Sequence, residues 1–128
     1  MEVTVTVSVG ELLDKIVILE IKRERIKDPR KLANVTRELD VLISASSRNI
    51  TITEEVAELV GELKRVNLRL WDIEDEIRDC ERNKDFGEKF IDLARAVYHT
   101  NDRRAELKNR LNSITGSVIV EEKSYQEY

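Results

Sequence analysis

Between residues 56 and 80, apolar side chains recur at alternating steps of three and four: Val56, Leu59, Leu63, Val66, Leu70, Ile73, Ile77 and Cys80. The positions between them are mostly polar or charged. Such a stretch has one dry stripe and a wet remainder, so it must lie as a long helix against other helices. Thr53 can cap it, and Glu54 and Glu55 suit its positive amino end. The helix is predicted over about 54–82, on the order of 43 Å at 1.5 Å per residue, with Gly61 a mild weakness inside it. Asn83-Lys84-Asp85 makes a turn. A second long helix is predicted over about 86–115, its seam running through Phe86, Phe90, Leu93, Val97, Thr100, Arg104, Leu107, Leu111 and Ile114. Gly116 suits its end. So short a turn predicts an antiparallel hairpin. Folding back there sets Asp75 near Arg95, Glu62 near Lys108, Trp71 near Tyr98 and His99, and Asn67 near Arg103 and Arg104.

The first third of the chain carries weaker versions of the same pattern. A helix is predicted over about 9–27, burying Leu12, Ile16, Leu19 and Ile26, with Ser8 and Glu11 at capping-box spacing. Asp28-Pro29 stops it and starts the next, predicted over about 29–46 with Leu32, Val35, Leu39 and Leu42 inward. Ser44 to Asn49 break that pattern, and 50–53 is an extended linker. At the two ends the period changes to two. Val3, Val5 and Val7 alternate with Thr4, Thr6 and Ser8, and Ser117 to Glu122 is similarly β-branched, so each end reads as a short strand. Two such strands could pair with each other, although an isolated ribbon is marginal. The expected fold is mostly α: a single domain over 1–128, with the long hairpin packed on the shorter one and short terminal strands.

Composition narrows the function classes more than it selects one. The 26 acids and 22 bases are well mixed and leave a net charge of -4. Nucleic-acid binding needs a basic surplus and is not expected. No apolar run approaches the ~20 residues of a membrane span, and the start of the chain lacks the pattern of a signal peptide. Cys80 is the only cysteine, which excludes an internal disulfide and fits a reducing compartment. Its place on the seam predicts a buried, inert thiol. A cytoplasmic protein acting without a cofactor is the expectation.

Catalytic signatures are sparse. One histidine, His99, rules out a Cys/His zinc cluster, and no nearby Ser or Cys completes a nucleophile arrangement with His99 and Asp102. No glycine-rich phosphate loop is present. Glu55-x-x-Glu58 followed by Glu76-x-x-Asp79 resembles the metal-binding motif of the MazG-type all-helical nucleotide pyrophosphatases. On one continuous helix, however, Glu58 and Glu76 stand about 27 Å apart, far beyond the ~2 Å of a magnesium ligand shell. Only a kink near Asn67 or a second subunit could join them, so no metal site is assigned.

A polar layer across the seams is the better candidate. Arg104 and Thr100 interrupt one seam and Arg23 interrupts another. Asn67, Trp71 and Glu74 form a semi-polar stripe, with Tyr98 and Asn101 facing the same region. A buried arginine needs a partner, and Glu20 or Glu74 are the candidates. The layer is then either an internal ion pair, or a notch in which Arg104 and Arg103 grip a small carboxylate or phosphate with Trp71 or Tyr98 stacked on it. The all-helical chorismate mutases grip a dicarboxylate with bundle arginines, but the preceding strand-like segment counts against close kinship. Trp71 lies off the main seam, where an aromatic commonly meets another element or subunit.

Several stretches carry a resemblance: residues 8–16 (Ser-Val-Gly-Glu-Leu-Leu-Asp-Lys-Ile), 19–22, 31–35, 70–75 (Leu-Trp-Asp-Ile-Glu-Asp), 100–104 (Thr-Asn-Asp-Arg-Arg) and 120–125. Together they resemble a domain of unknown function found in short bacterial and viral proteins, over nearly the whole chain. That resemblance implies no activity, so no catalytic residue is carried over. The leading expectation is a non-catalytic helical module that self-associates, as a dimer, or binds a protein partner. The second is a small-anion or phosphometabolite site at the polar layer, and the pyrophosphatase reading is the third.

Overall fold

Helix ends fall where local chemistry puts them. A computed structural model describes residues 1–128. Ser8 caps α1 (Val9–Arg25), its hydroxyl accepting from the Glu11 amide. Asp28 caps α2 (Pro29–Asn49), accepting from the Arg30 and Lys31 amides, with Pro29 in the first turn, where no amide hydrogen is needed. Thr53 caps α3 (Glu54–Arg82) by accepting from Val56. The α3–α4 turn places Lys84 in the left-handed region at φ 55°. It gives way to α4 (Glu88–Thr115), which begins two residues later than predicted, because Asp85 instead holds the Gly87 amide in the turn. Gly116, left-handed at φ 66°, ends α4.

Three expectations need correction. Residues 44–49 do not break α2: Ser46 is buried, and Arg48 and Asn49 hydrogen-bond back to Ser44 and Ala45. Docking outweighs the modest helix disfavour of serine and asparagine. α1 stops at Arg25, not at 27. The terminal strands do not form. Residues 1–7 and 118–128 have no regular secondary structure, and neither stretch makes a backbone–backbone hydrogen bond. With no sheet to join, β-branched residues alone do not make a strand.

α1 is the only helix that touches the other three. At 3.6 residues per turn, its predicted seam (Leu12, Ile16, Leu19, Ile26) lies about 180° from a second stripe formed by Gly10, Asp14, Val17 and Ile21. Both sides carry buried residues. Lys15 pairs with Glu38 of α2 at 3.5 Å, and Gly10 and Asp14 meet the α3–α4 hairpin. The main core joins all four helices, with Leu39, Leu63, Leu107 and Leu111 fully enclosed. Each such burial contributes about 1.5–3 kcal/mol. Farther along the hairpin a smaller cluster holds Ile73, Cys80 and Leu93. No helix is long and apolar enough to cross a membrane.

Candidate functional site

The polar layer exists, and its centre is Asp14. The Asp14 carboxylate is 0% exposed. Its Oδ1 accepts from Asn67 Nδ2 at 2.8 Å and from Arg104 Nε at 3.1 Å, and its Oδ2 accepts from Arg104 Nη2. Asn67 also donates to the Leu63 carbonyl at 3.1 Å. α1, α3 and α4 each supply one member. The Asp14 hydrogen bonds, working against burial, hold the Arg104 guanidinium above its already high ordinary value. This fork-on-fork pairing fixes both planes. A buried carboxylate without these donors would cost several kcal/mol.

One turn along α4, Lys108 is 6% exposed. Its Nζ lies 2.6 Å from Glu11 Oε2, 2.7 Å from Glu121 Oε2 and 4.0 Å from Asp14 Oδ2. Burial opposes its charge most strongly, yet hydrogen bonds to Glu11 and Glu121 outweigh that and raise its pKa. Two cations therefore meet three carboxylates, and the layer has no unspent positive charge. A Cβ at Gly10 would collide with the Lys108 backbone carbonyl, so only glycine lets α1 and α4 approach this closely. The approach lets α4 and the segment after it close the start of α1. Asn112 Oδ1 accepts from the Gly10 amide at 2.6 Å and Ser117 Oγ from the Val9 amide at 3.2 Å. Together with Ser8 these occupy the first free amides of α1. Asn112 Nδ2 is the one buried side-chain polar atom without a partner.

Residues 117–128 turn back along α4. Glu121 reaches Lys108, Lys123 pairs with Asp102 at 2.6 Å, and the Tyr128 hydroxyl donates to the same Asp102 carboxylate. The Tyr128 ring packs on Tyr98 and His99, with centroids 5.3 Å and 4.6 Å away. Between α4 and this segment lies a groove of about 1360 Å³ whose walls include Tyr98, Asn101, Arg104, Ala105 and Lys108.

Of the residues predicted for the site, Asn67 and Arg104 come together as expected. Their partner is Asp14, and neither Glu20 nor Glu74 takes that role. Glu20 pairs with Lys64 at 3.7 Å, and Glu74 pairs with Arg78 on its own helix. Arg23 is exposed and makes no ion pair, because it projects from the side of α1 opposite Asp14. Trp71 is half-buried with the Arg25 guanidinium 6.0 Å from its ring centroid, and Arg25 also holds Asp72 at 2.7 Å. Arg103 faces Glu62 at 2.9 Å, taking the partner predicted for Lys108. Tyr98 and Asn101 line the groove under the terminal segment. Glu11, Asp14, Lys108 and Glu121 escaped the sequence reading. The available signal was the 4-3-4 spacing of Gly10, Asp14, Val17 and Ile21, hidden because half of those positions are not apolar.

The carboxylates that resemble a pyrophosphatase motif do not converge. Glu55, Glu58, Glu76 and Asp79 are all exposed along the one unbroken α3, and Asp79 is paired with Arg82. No group of three or more His, Cys, Asp or Glu side chains is arranged to hold a metal ion. Comparison with known proteins found no match among curated proteins and none among solved structures. The chain does match a family of unknown function (DUF6165) over residues 3–128, and it belongs to that family.

Proposed function

We propose that this protein is a non-catalytic helical module that self-associates as a dimer in the cytoplasm. One observation carries the reading: the most exposed large apolar side chains gather on two terminal segments that lack backbone partners. Val3 and Val118 are 78% and 98% exposed, and Val5, Val120 and Tyr125 stand out alongside them. Exposed apolar residues concentrated in one part of the surface are a usual mark of a face completed by another chain. Light scattering at micromolar concentration tests it. The expected mass is twice the 14.9 kDa of one chain, and a mass of one chain overturns the reading.

A second reading follows from Lys108. Because Glu121 comes from a segment without regular secondary structure rather than from a helix, a small carboxylate or phosphate ligand could replace it at Lys108. A thermal-shift screen against dicarboxylate and phosphorylated metabolites tests it, with Glu121→Gln expected to sharpen any shift and Lys108→Met to abolish it.

A further inference from the structure

We propose that the part of the α3–α4 hairpin lying beyond α1 is a two-fold interface, and that its occupant is a second copy of this chain, whose basic α1–α2 corner meets the acidic row of α3. This rests on the self-association reading and gives it a face at the α3–α4 turn, the end of the bundle opposite the start of α1 and the end of α4.

The hairpin is covered over only part of its length. Arg104 reaches from α4 to Asp14 of α1, and Arg25 makes the last ion pair between α1 and the hairpin, to Asp72. Past that level α3 runs on to Arg82 for about 15 Å, ten residues at 1.5 Å each. The core there is built from α3 and α4 alone: Ile73, Cys80 and Leu93 are buried, with Ile77, Phe90 and Val97 half-buried around them. Val97 and Phe90 stand seven and fourteen residues before Arg104, so they occupy the side of α4 that faces α1 lower down. Phe86 packs edge-on against Phe90 at 5.3 Å and is still 51% exposed. An apolar side enclosed under α1 thus emerges into solvent where α1 stops.

Unpartnered charges fall on the two sides of this step. Residues 22–31, the end of α1 and the start of α2, hold six bases and two acids. Of the six, only Arg25 makes an ion pair, which leaves Lys22, Arg23, Lys27, Arg30 and Lys31 without one. Glu24 is taken by Lys64, and Asp28 caps α2. Residues 72–81 of α3 hold six acids and one base. Asp72, Glu74 and Asp79 have basic partners, whereas Asp75, Glu76 and Glu81 are exposed and have none. Within one chain the two runs join only through Arg25 and Asp72, because the corner ends where the free part of α3 begins. A copy related by a two-fold axis answers both. With four helices on one side of the step and two on the other, the molecule has a shape that its own rotated copy fills. Each hairpin end then lies against the partner's corner, and the sides bearing Phe90 close on each other near the axis. The contact uses both charge surpluses twice, whereas a different basic protein would answer the acidic row and leave the corner unanswered.

Two pairs of charge reversals at exposed positions test the interface. Asp75→Lys with Glu76→Lys makes row and corner both basic, and Arg23→Glu with Lys27→Glu makes both acidic. Circular dichroism checks that each variant folds as the unaltered chain does, and the single variants Glu76→Lys and Lys27→Glu replace a pair that does not. Light scattering at micromolar concentration and low salt is expected to give the mass of two chains for the unaltered protein and of one chain for either variant alone, a weakening of about tenfold or more. Their equimolar mixture is expected to return to two chains, since every like-charge contact becomes an opposite one. Variants that stay paired on their own overturn this interface and leave self-association through another face. A mixture that stays at one chain overturns the pairing of row with corner. A one-chain mass for the unaltered protein overturns both the interface and the self-association reading, and leaves the face to a different protein.

Discussion

Two carboxylate–cation assemblies sit two residues apart on α4. Arg104 reaches inward to Asp14, which is fully enclosed and is shared with Asn67. Asp102 reaches outward to Lys123 and Tyr128, and all three remain open to water. The chemistry is nearly the same in both, so the difference in their roles comes from burial. An ion pair in water exchanges one good set of contacts for another and gains little. Inside the bundle the alternative to the pair is an unsolvated charge, so each partner depends on the other. The first assembly locks three helices together, whereas the second ties a terminal segment to α4 at the surface.

Removing the buried acid breaks this contrast most sharply. Asp14→Ala removes the acceptor that Arg104 and Asn67 share and leaves Arg104 without its carboxylate, and it is expected to destabilise the fold by about 3–5 kcal/mol in urea denaturation. Replacing both charges with apolar groups, as in Asp14→Leu with Arg104→Met, should lose clearly less than Asp14→Ala alone, and a double-mutant cycle reads the coupling. If the double variant is the less stable, the layer is not an isolated pair. Next comes the close approach that encloses the acid. Gly10→Ala must push α1 from α4, at about 1–3 kcal/mol by the same measurement.

The adjacent arginines sharpen the comparison within one dipeptide. Arg103→Ala removes only exposed contacts, to Glu62 and to Glu106, and its effect should stay within about 0–1 kcal/mol, well below that of Arg104→Ala. Equal losses would show that burial is not what separates them.

The smallest effect concerns the outward assembly and pH. Lys123 first, and then Tyr128, holds the Asp102 carboxyl below its ordinary value of 3.8. A carboxylate with a lowered pKa contributes its full attachment above the unfolded value and loses it as pH falls through the lowered one. The terminal segment should therefore stay seated at neutral pH and come off in acid below about 3.8. Aromatic resonances of Tyr98 and Tyr128 should move together through that window while helical circular dichroism stays unchanged. Asp102→Asn should show the released spectrum at neutral pH.

The sequence carried the long hairpin almost residue for residue, and α3 runs over the 54–82 that its stripe predicts. Capping chemistry explains why: Thr53, Asp28 and Ser8 act on amides two or three residues away and need no distant partner. The bundle's inner layer was only half legible. Arg104 and Asn67 announced themselves as polar interruptions of apolar seams, but Asp14 did not, because its stripe on α1 opens with a glycine and contains an acid. Choosing one face for a helix that has two buried faces also sent Arg23 to the wrong side.

Local pattern and capping, then, determined by themselves where helices form and which side of each long helix is dry. Only the tertiary structure decided that α1 lies between α2 and the hairpin, that Asp14 belongs to Arg104, and that the two period-two ends are not strands. Those outcomes depend on which surfaces meet, and pairing, unlike capping, is settled by partners far away in the chain.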